Sequence, residues 1–102
     1  MSSVSSFISE LIRAANEIGK LDNYQRRRML GRAIATIRDA REQVGLPTSK
    51  SATDAVIDLV TMAGSIERRS DDEVKAAFLE AADMIRTLKI VLDAKDEVLR
   101  GE

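Results

Sequence analysis

Apolar residues in this chain advance in steps of three and four. Val4, Ile8, Leu11, Ala15 and Ile18 form one series. Leu30, Ile34, Ile37, Arg41 and Val44 form a second, with one arginine in the seam, and Val74, Phe78, Ala81, Ile85, Leu88 and Leu92 form a third. A helix turns about 100° per residue, so a mean step of 3.5 keeps each series on one side of an α-helix, whereas on a strand it would scatter them over both faces. No stretch alternates apolar and polar residues for long enough to specify a strand. The chain is therefore expected to be all-α.

Start and stop signals divide it into four helices, over about 5–19, 23–44, 52–68 and 71–99. Ser3 or Ser5 suits the first N-cap, because a hydroxyl accepts from free N–H groups of the opening turn. Gly19 is the expected left-handed residue closing that helix. Asp22 with Gln25, Ser51 with Asp54, and Ser70 with Glu73 each have capping-box spacing. Gly45 followed by Pro47 ends the second helix, since proline cannot continue one. The pattern is short-long-short-long in a single domain. Short loops favour antiparallel neighbours, and the seam spacing matches helices crossing at about 20°. The expected fold is an antiparallel four-helix bundle made of two packed hairpins.

Displaced by 48 residues, the chain falls into register with itself. Ser3, Leu11, Ala15, Ile18, Ala33, Ile37 and Arg38 meet identical residues at Ser51, Leu59, Ala63, Ile66, Ala81, Ile85 and Arg86. Asp22 meets Ser70 and Gln25 meets Glu73, so caps coincide along with seams. Two readings are open: duplication of one hairpin with pseudo-two-fold symmetry, or the general ease of sliding two amphipathic hairpins into register.

Composition narrows the chemistry. The chain has no His and no Cys, and its aromatics are Phe7, Tyr24 and Phe78. Thiol and imidazole nucleophiles, catalytic triads, Cys-based zinc or iron–sulfur sites and the Glu-x-x-His di-iron motif are all excluded. A non-enzymatic protein with no cofactor and no metal is expected. The apolar runs are far shorter than the ~18 residues a bilayer crossing needs, and the N-terminus has no basic or apolar segment of a secretory signal. No membrane association is expected, and the cytoplasm is the default location.

Two features point toward partners. The fourth helix, about 43 Å long against about 33 Å for the second at 1.5 Å per residue, carries an additional stripe of Ala77, Met84, Val91 and Val98. Leu88, Ile90, Val91 and Leu92 make its last turns apolar on nearly every side. Met84, Leu88, Ile90, Val91 and Val98 are the expected interface, most simply of a homodimer; the competing reading is that the first helix or the 45–51 loop covers them. The second feature is charge. Residues 13–41 carry eight basic and three acidic side chains, and residues 42–102 carry eight and thirteen. Arg26, Arg27 and Arg28 stand in the first turn of the second helix, where cations oppose the helix dipole. With Arg32 they suit an acidic partner or nucleic-acid phosphates, or simply a solvated face of the basic hairpin set against the acidic one. Aromatic residues for base stacking are nearly lacking. The expected function is a small helical adaptor or regulator that self-associates through the fourth helix and binds another protein; the alternative is a nucleic-acid-binding protein using Arg26, Arg27, Arg28 and Arg32. Gly31-x-x-x-Ala35 and the carboxylate pairs Asp54/Asp58 and Asp93/Glu97 carry weaker signals, read as a tolerated glycine and solvated pairs.

Overall fold

The computed structural model describes residues 3–45 and 50–99, with side chains described over 4–45 and 53–95. It contains four helices: α1 (Ser3–Asn16), α2 (Asn23–Val44), α3 (Lys50–Gly64) and α4 (Asp71–Leu99). The two long helices run as the caps and the Gly45 stop require. Asp22 accepts from the Gln25 N–H at 2.8 Å while the Gln25 side chain accepts from the Asp22 N–H at 3.0 Å, closing the capping box. Ser70 and Glu73 repeat that exchange at 3.1 and 2.9 Å. Gly45 takes φ 73°, ψ 16°, the left-handed conformation that lets its N–H bond Arg41 O at 3.0 Å. Pro47 and the Ser51 side chain lie outside the described residues.

The short helices end earlier than their sequences suggest. α1 stops at Asn16 and is followed by a 3-10 turn, Ile18–Lys20; α3 stops at Gly64 and is followed by Ile66–Arg68. At each stop one N–H is shared between two carbonyls: Glu17 N–H with Arg13 O and Ala14 O, Ser65 N–H with Thr61 O and Met62 O. This sharing tightens the winding from i→i−4 to i→i−3. Gly19 therefore lies inside a 3-10 turn rather than at a left-handed C-cap, and Gly45 is the one positive-φ residue among those described.

Sequential helices run antiparallel, and the long pair α2 and α4 run parallel to each other. Arg26 near the start of α2 meets Asp71 at the start of α4 at 2.9 Å. At the far end Lys95 donates to the carbonyls of Gln43 and Val44, both at 3.1 Å. Each short helix packs chiefly on the long helix of the other half: α1 along α4, and α3 along α2. The halves are thus interlocked around α2–α4, and Leu11, Ala15, Leu30, Ala33, Ile37, Val74, Phe78 and Ala81 are fully buried between them. Burying one such leucine or phenylalanine contributes on the order of 2–3 kcal/mol before the entropy of ordering it is counted.

The molecule measures 49 × 30 × 17 Å. A body 17 Å thick is too thin for a helix of about 10 Å diameter to be surrounded on every side. One side of α4 consequently remains open to solvent.

Candidate interaction surface

The arginine run fans out. Successive residues of a helix point about 100° apart, so Arg26, Arg27 and Arg28 take three directions and three sets of partners. Arg26 is buried, only 8% exposed. Its guanidinium donates from Nη2 to Ile18 O at 2.8 Å and from Nε to Leu21 O at 3.1 Å, and pairs with Asp71. It closes the first turn and ties it to the start of α4. Its unfavourable place against the α2 dipole is offset by these carbonyls and by the Asp71 carboxylate. Arg27 crosses to the other half, pairing with Glu67 and donating from Nε to Ala63 O at 3.3 Å. Arg28 stays on its own helix, with Nη1 3.5 Å from the Tyr24 hydroxyl. Arg32 reaches α1: it holds Glu10 with both terminal nitrogens, at 2.8 and 3.3 Å, and its Cζ sits 4.5 Å from the Phe7 ring centroid. That geometry combines a forked charge-assisted pair with a cation–π contact.

An open groove of about 310 Å³ runs between α1 and α2, lined by Glu10, Arg13 and Glu17 from one side and Gln25, Arg28 and Arg32 from the other. Acidic and basic groups alternate along it, so it lacks the single-sign potential that tracks a polyanion.

Two exposed carboxylates are held ionised by local donors. The Glu67 carboxyl is lowered from 4.5 by its own backbone N–H and then by the Arg27 guanidinium. The Glu73 carboxyl is lowered from 4.5 by the Ser70 backbone N–H, then by the Arg69 guanidinium and the Ser70 hydroxyl. Both belong to turn architecture. Among the described residues no group of three or more acidic side chains comes together as a metal site. No described helix is long and apolar enough to cross a membrane.

The five apolar residues expected to form an interface divide. Met84 and Leu88 are half-buried and pack against the core. Val91 is also half-buried. The Val98 side chain lies outside the described residues. Ile90 is 64% exposed. Leu79, 40% exposed and unremarked by the seam pattern, lies on the same side of α4, about 16 Å away along the axis. Leu79, Asp83, Arg86 and Ile90 fall within about 60° of one another around the helix, opposite Phe78, Ala81 and Ile85. All four are exposed.

The internal repeat gives this stripe its meaning. The 48-residue displacement carries α1 onto α3, one 3-10 turn onto the other, and the start of α2 onto the start of α4. Even the joints superpose in angle: Glu17 at φ −113°, ψ 27° against Ser65 at −120°, 26°, and Leu21 at −98°, 134° against Arg69 at −102°, 140°. The counterparts of Leu79, Asp83, Arg86 and Ile90 on α2 are Gly31, Ala35, Arg38 and Glu42, and these too are exposed. A Cβ at Gly31 would meet nothing within 4 Å. The same helical position thus folds with no side chain in one half and with leucine in the other, and with glutamate in one half and isoleucine in the other. Folding does not demand the apolar pair. The internal comparison is the signal in the sequence that would have singled out Leu79. α3 shows a second departure of this kind: Ile57 is 53% exposed where α1 has Ser9, and Val60, one turn on, is 43% exposed where α1 has the half-buried Ile12.

No protein-family model matches this chain, and comparison with curated proteins and with solved structures finds no match either.

Proposed function

We propose that the protein is a non-enzymatic interaction module, a small adaptor or regulator of the cytoplasm that self-associates through α4 and docks another protein. The observation that carries this reading is the solvent-facing pair Leu79 and Ile90, at positions where the first half has Gly31 and Glu42. A leucine and an isoleucine exposed on one face of α4, where the equivalent positions of α2 carry no apolar side chain, are surface that a partner would remove from water. The apolar anchors of the contact are Leu79 and Ile90 rather than Met84 and Leu88, which pack toward the core. The alternative, nucleic acid bound through Arg26, Arg27, Arg28 and Arg32, has less support, because those guanidinium groups have partners inside the fold.

The test is the mass in solution across a concentration series, for the wild-type chain and Ile90→Glu. The wild type is expected to approach twice the chain mass of 11.2 kDa, and Ile90→Glu to remain at the chain mass with unchanged helical circular dichroism. A wild type that is monomeric at every concentration would overturn self-association. An Ile90→Glu variant that associates as the wild type does would leave self-association standing and overturn the α4 contact, with Ile57 on α3 the next position to substitute.

A further inference from the structure

The stripe on α4 also specifies how two copies would meet. We infer that the protein forms an antiparallel homodimer, α4 against α4, with the two-fold axis passing between Met84 and Ile85. This rests on the self-association reading above and adds its orientation and register.

The exposed residues follow the spacing four, three, four: Leu79, Asp83, Arg86, Ile90. That spacing is half of a coiled-coil seam. In an antiparallel pair each residue of the seam stands level with a different residue of the second copy. With the axis between positions 84 and 85, Leu79 lies opposite the second copy's Ile90, and Asp83 opposite its Arg86. Symmetry then generates the same two layers again on the other side of the axis. Two apolar layers enclose two opposite-charge layers, and each of the four residues from Leu79 to Ile90 is matched.

A parallel pair sets like against like. Asp83 would face Asp83 and Arg86 would face Arg86, placing two repulsive layers at the centre of the contact. Electrostatic pattern discriminates orientation mainly by penalising the wrong one. Among the described residues neither Asp83 nor Arg86 has an ion pair or side-chain hydrogen bond within its own chain. Both charges are available to a second copy without breaking anything. The first half supplies the control: Gly31, Ala35, Arg38 and Glu42 occupy the equivalent stripe on α2 and offer neither apolar layers nor an acid opposite Arg38 in that register. The proposed occupant of the α4 stripe is therefore a second copy of this chain, seated on α4.

Charge reversal and one label position test the arrangement. Asp83→Arg and Arg86→Asp each place like charges in both central layers, and each is expected to weaken self-association at least about tenfold, while the double reversal restores it to within about threefold. The chain has no cysteine, so Ala94→Cys alone carries a spin label. In the antiparallel register the two labels stand about 28 Å apart along the helix axis at 1.5 Å per residue, and in a parallel pair they stand side by side at about 10 Å. A dimer with side-by-side labels, or one indifferent to both single reversals, or one that the double reversal fails to restore, overturns this register while leaving self-association standing. A chain that stays monomeric overturns both.

Discussion

The turn from α1 to α2 and the turn from α3 to α4 follow one backbone path with their side chains exchanged. Before the cap the first turn has Leu21 and the second has Arg69; four residues past the cap the first has Arg26 and the second Val74. These are the two positions where an apolar pair commonly staples a helix start. Here each half uses one apolar residue and one arginine, in opposite order. In the first turn Leu21 packs on the core and Arg26 ties the Ile18 and Leu21 carbonyls to Asp71. In the second, Val74 is fully buried and Arg69 binds the Ser65 hydroxyl at 2.9 Å and Glu73 at 3.3 Å. The backbone angles agree within 10°, so the path comes from what the halves share: the 3-10 turn and the capping box. What the exchange decides is connection. Arg26 joins its turn to the other half of the molecule, whereas the contacts of Arg69 stay within its own turn.

Substitutions at paired positions would break this equivalence where the packing differs. The largest effect is expected in the seam, where Leu30 and Phe78 correspond and both are fully buried. Phe78→Ala should cost about 3–5 kcal/mol and Leu30→Ala about 2–5 kcal/mol in denaturant unfolding, with the phenylalanine site the costlier. A cost below about 1 kcal/mol at either site would mean that the seam can collapse around the gap.

The exchange itself comes next. Arg26→Val leaves the Ile18 and Leu21 carbonyls without their donor and removes the tie to Asp71, a loss expected at about 1–3 kcal/mol. Adding Leu21→Arg to that variant copies the second turn into the first and should recover a measurable part of the loss. No recovery would show that the two solutions are not interchangeable and that the Asp71 link is indispensable.

The smallest effect concerns pH. Glu67 and Glu73 both ionise more readily in the folded chain than at their ordinary 4.5. Their contribution is complete above the unfolded value, near 4.5, and is lost as pH falls through the lowered folded values. Both are exposed and screened by solvent, which keeps the contribution small. Thermal melts should fall less steeply below about pH 4.5 in a Glu67→Gln, Glu73→Gln variant than in the wild type. Equal acid sensitivity would assign acid destabilisation to other carboxylates.

Much of the fold was legible because helix signals are local. The caps at Asp22 and Ser70 and the Gly45 stop gave the bounds of both long helices, and the seams named the buried residues. The ends of α1 and α3 are not legible in sequence, because 3-10 winding follows from a shared N–H at Glu17 and Ser65, which no residue type announces. The candidate surface was less legible. Met84, Leu88, Ile90 and Val91 are all apolar in sequence, and only neighbours in space decide which of them face outward. Leu79 is not legible in its own helix, because a single leucine beyond a seam carries no pattern until it is aligned with Gly31.

Apolar period, caps and breakers act within a few residues of each other, and the order of residues therefore suffices to specify an all-α chain of two like hairpins. The sequence also removes imidazole and thiol chemistry. The tertiary structure decided that each short helix packs on the long helix of the other half, that Arg26 is buried rather than displayed, and that Ile90 faces solvent while Met84 and Leu88 turn toward the core. Those outcomes depend on contacts between residues as many as 52 positions apart, such as Gln43 with Lys95. Such contacts are set by the shape of the assembled bundle and not by the order of residues along any one helix.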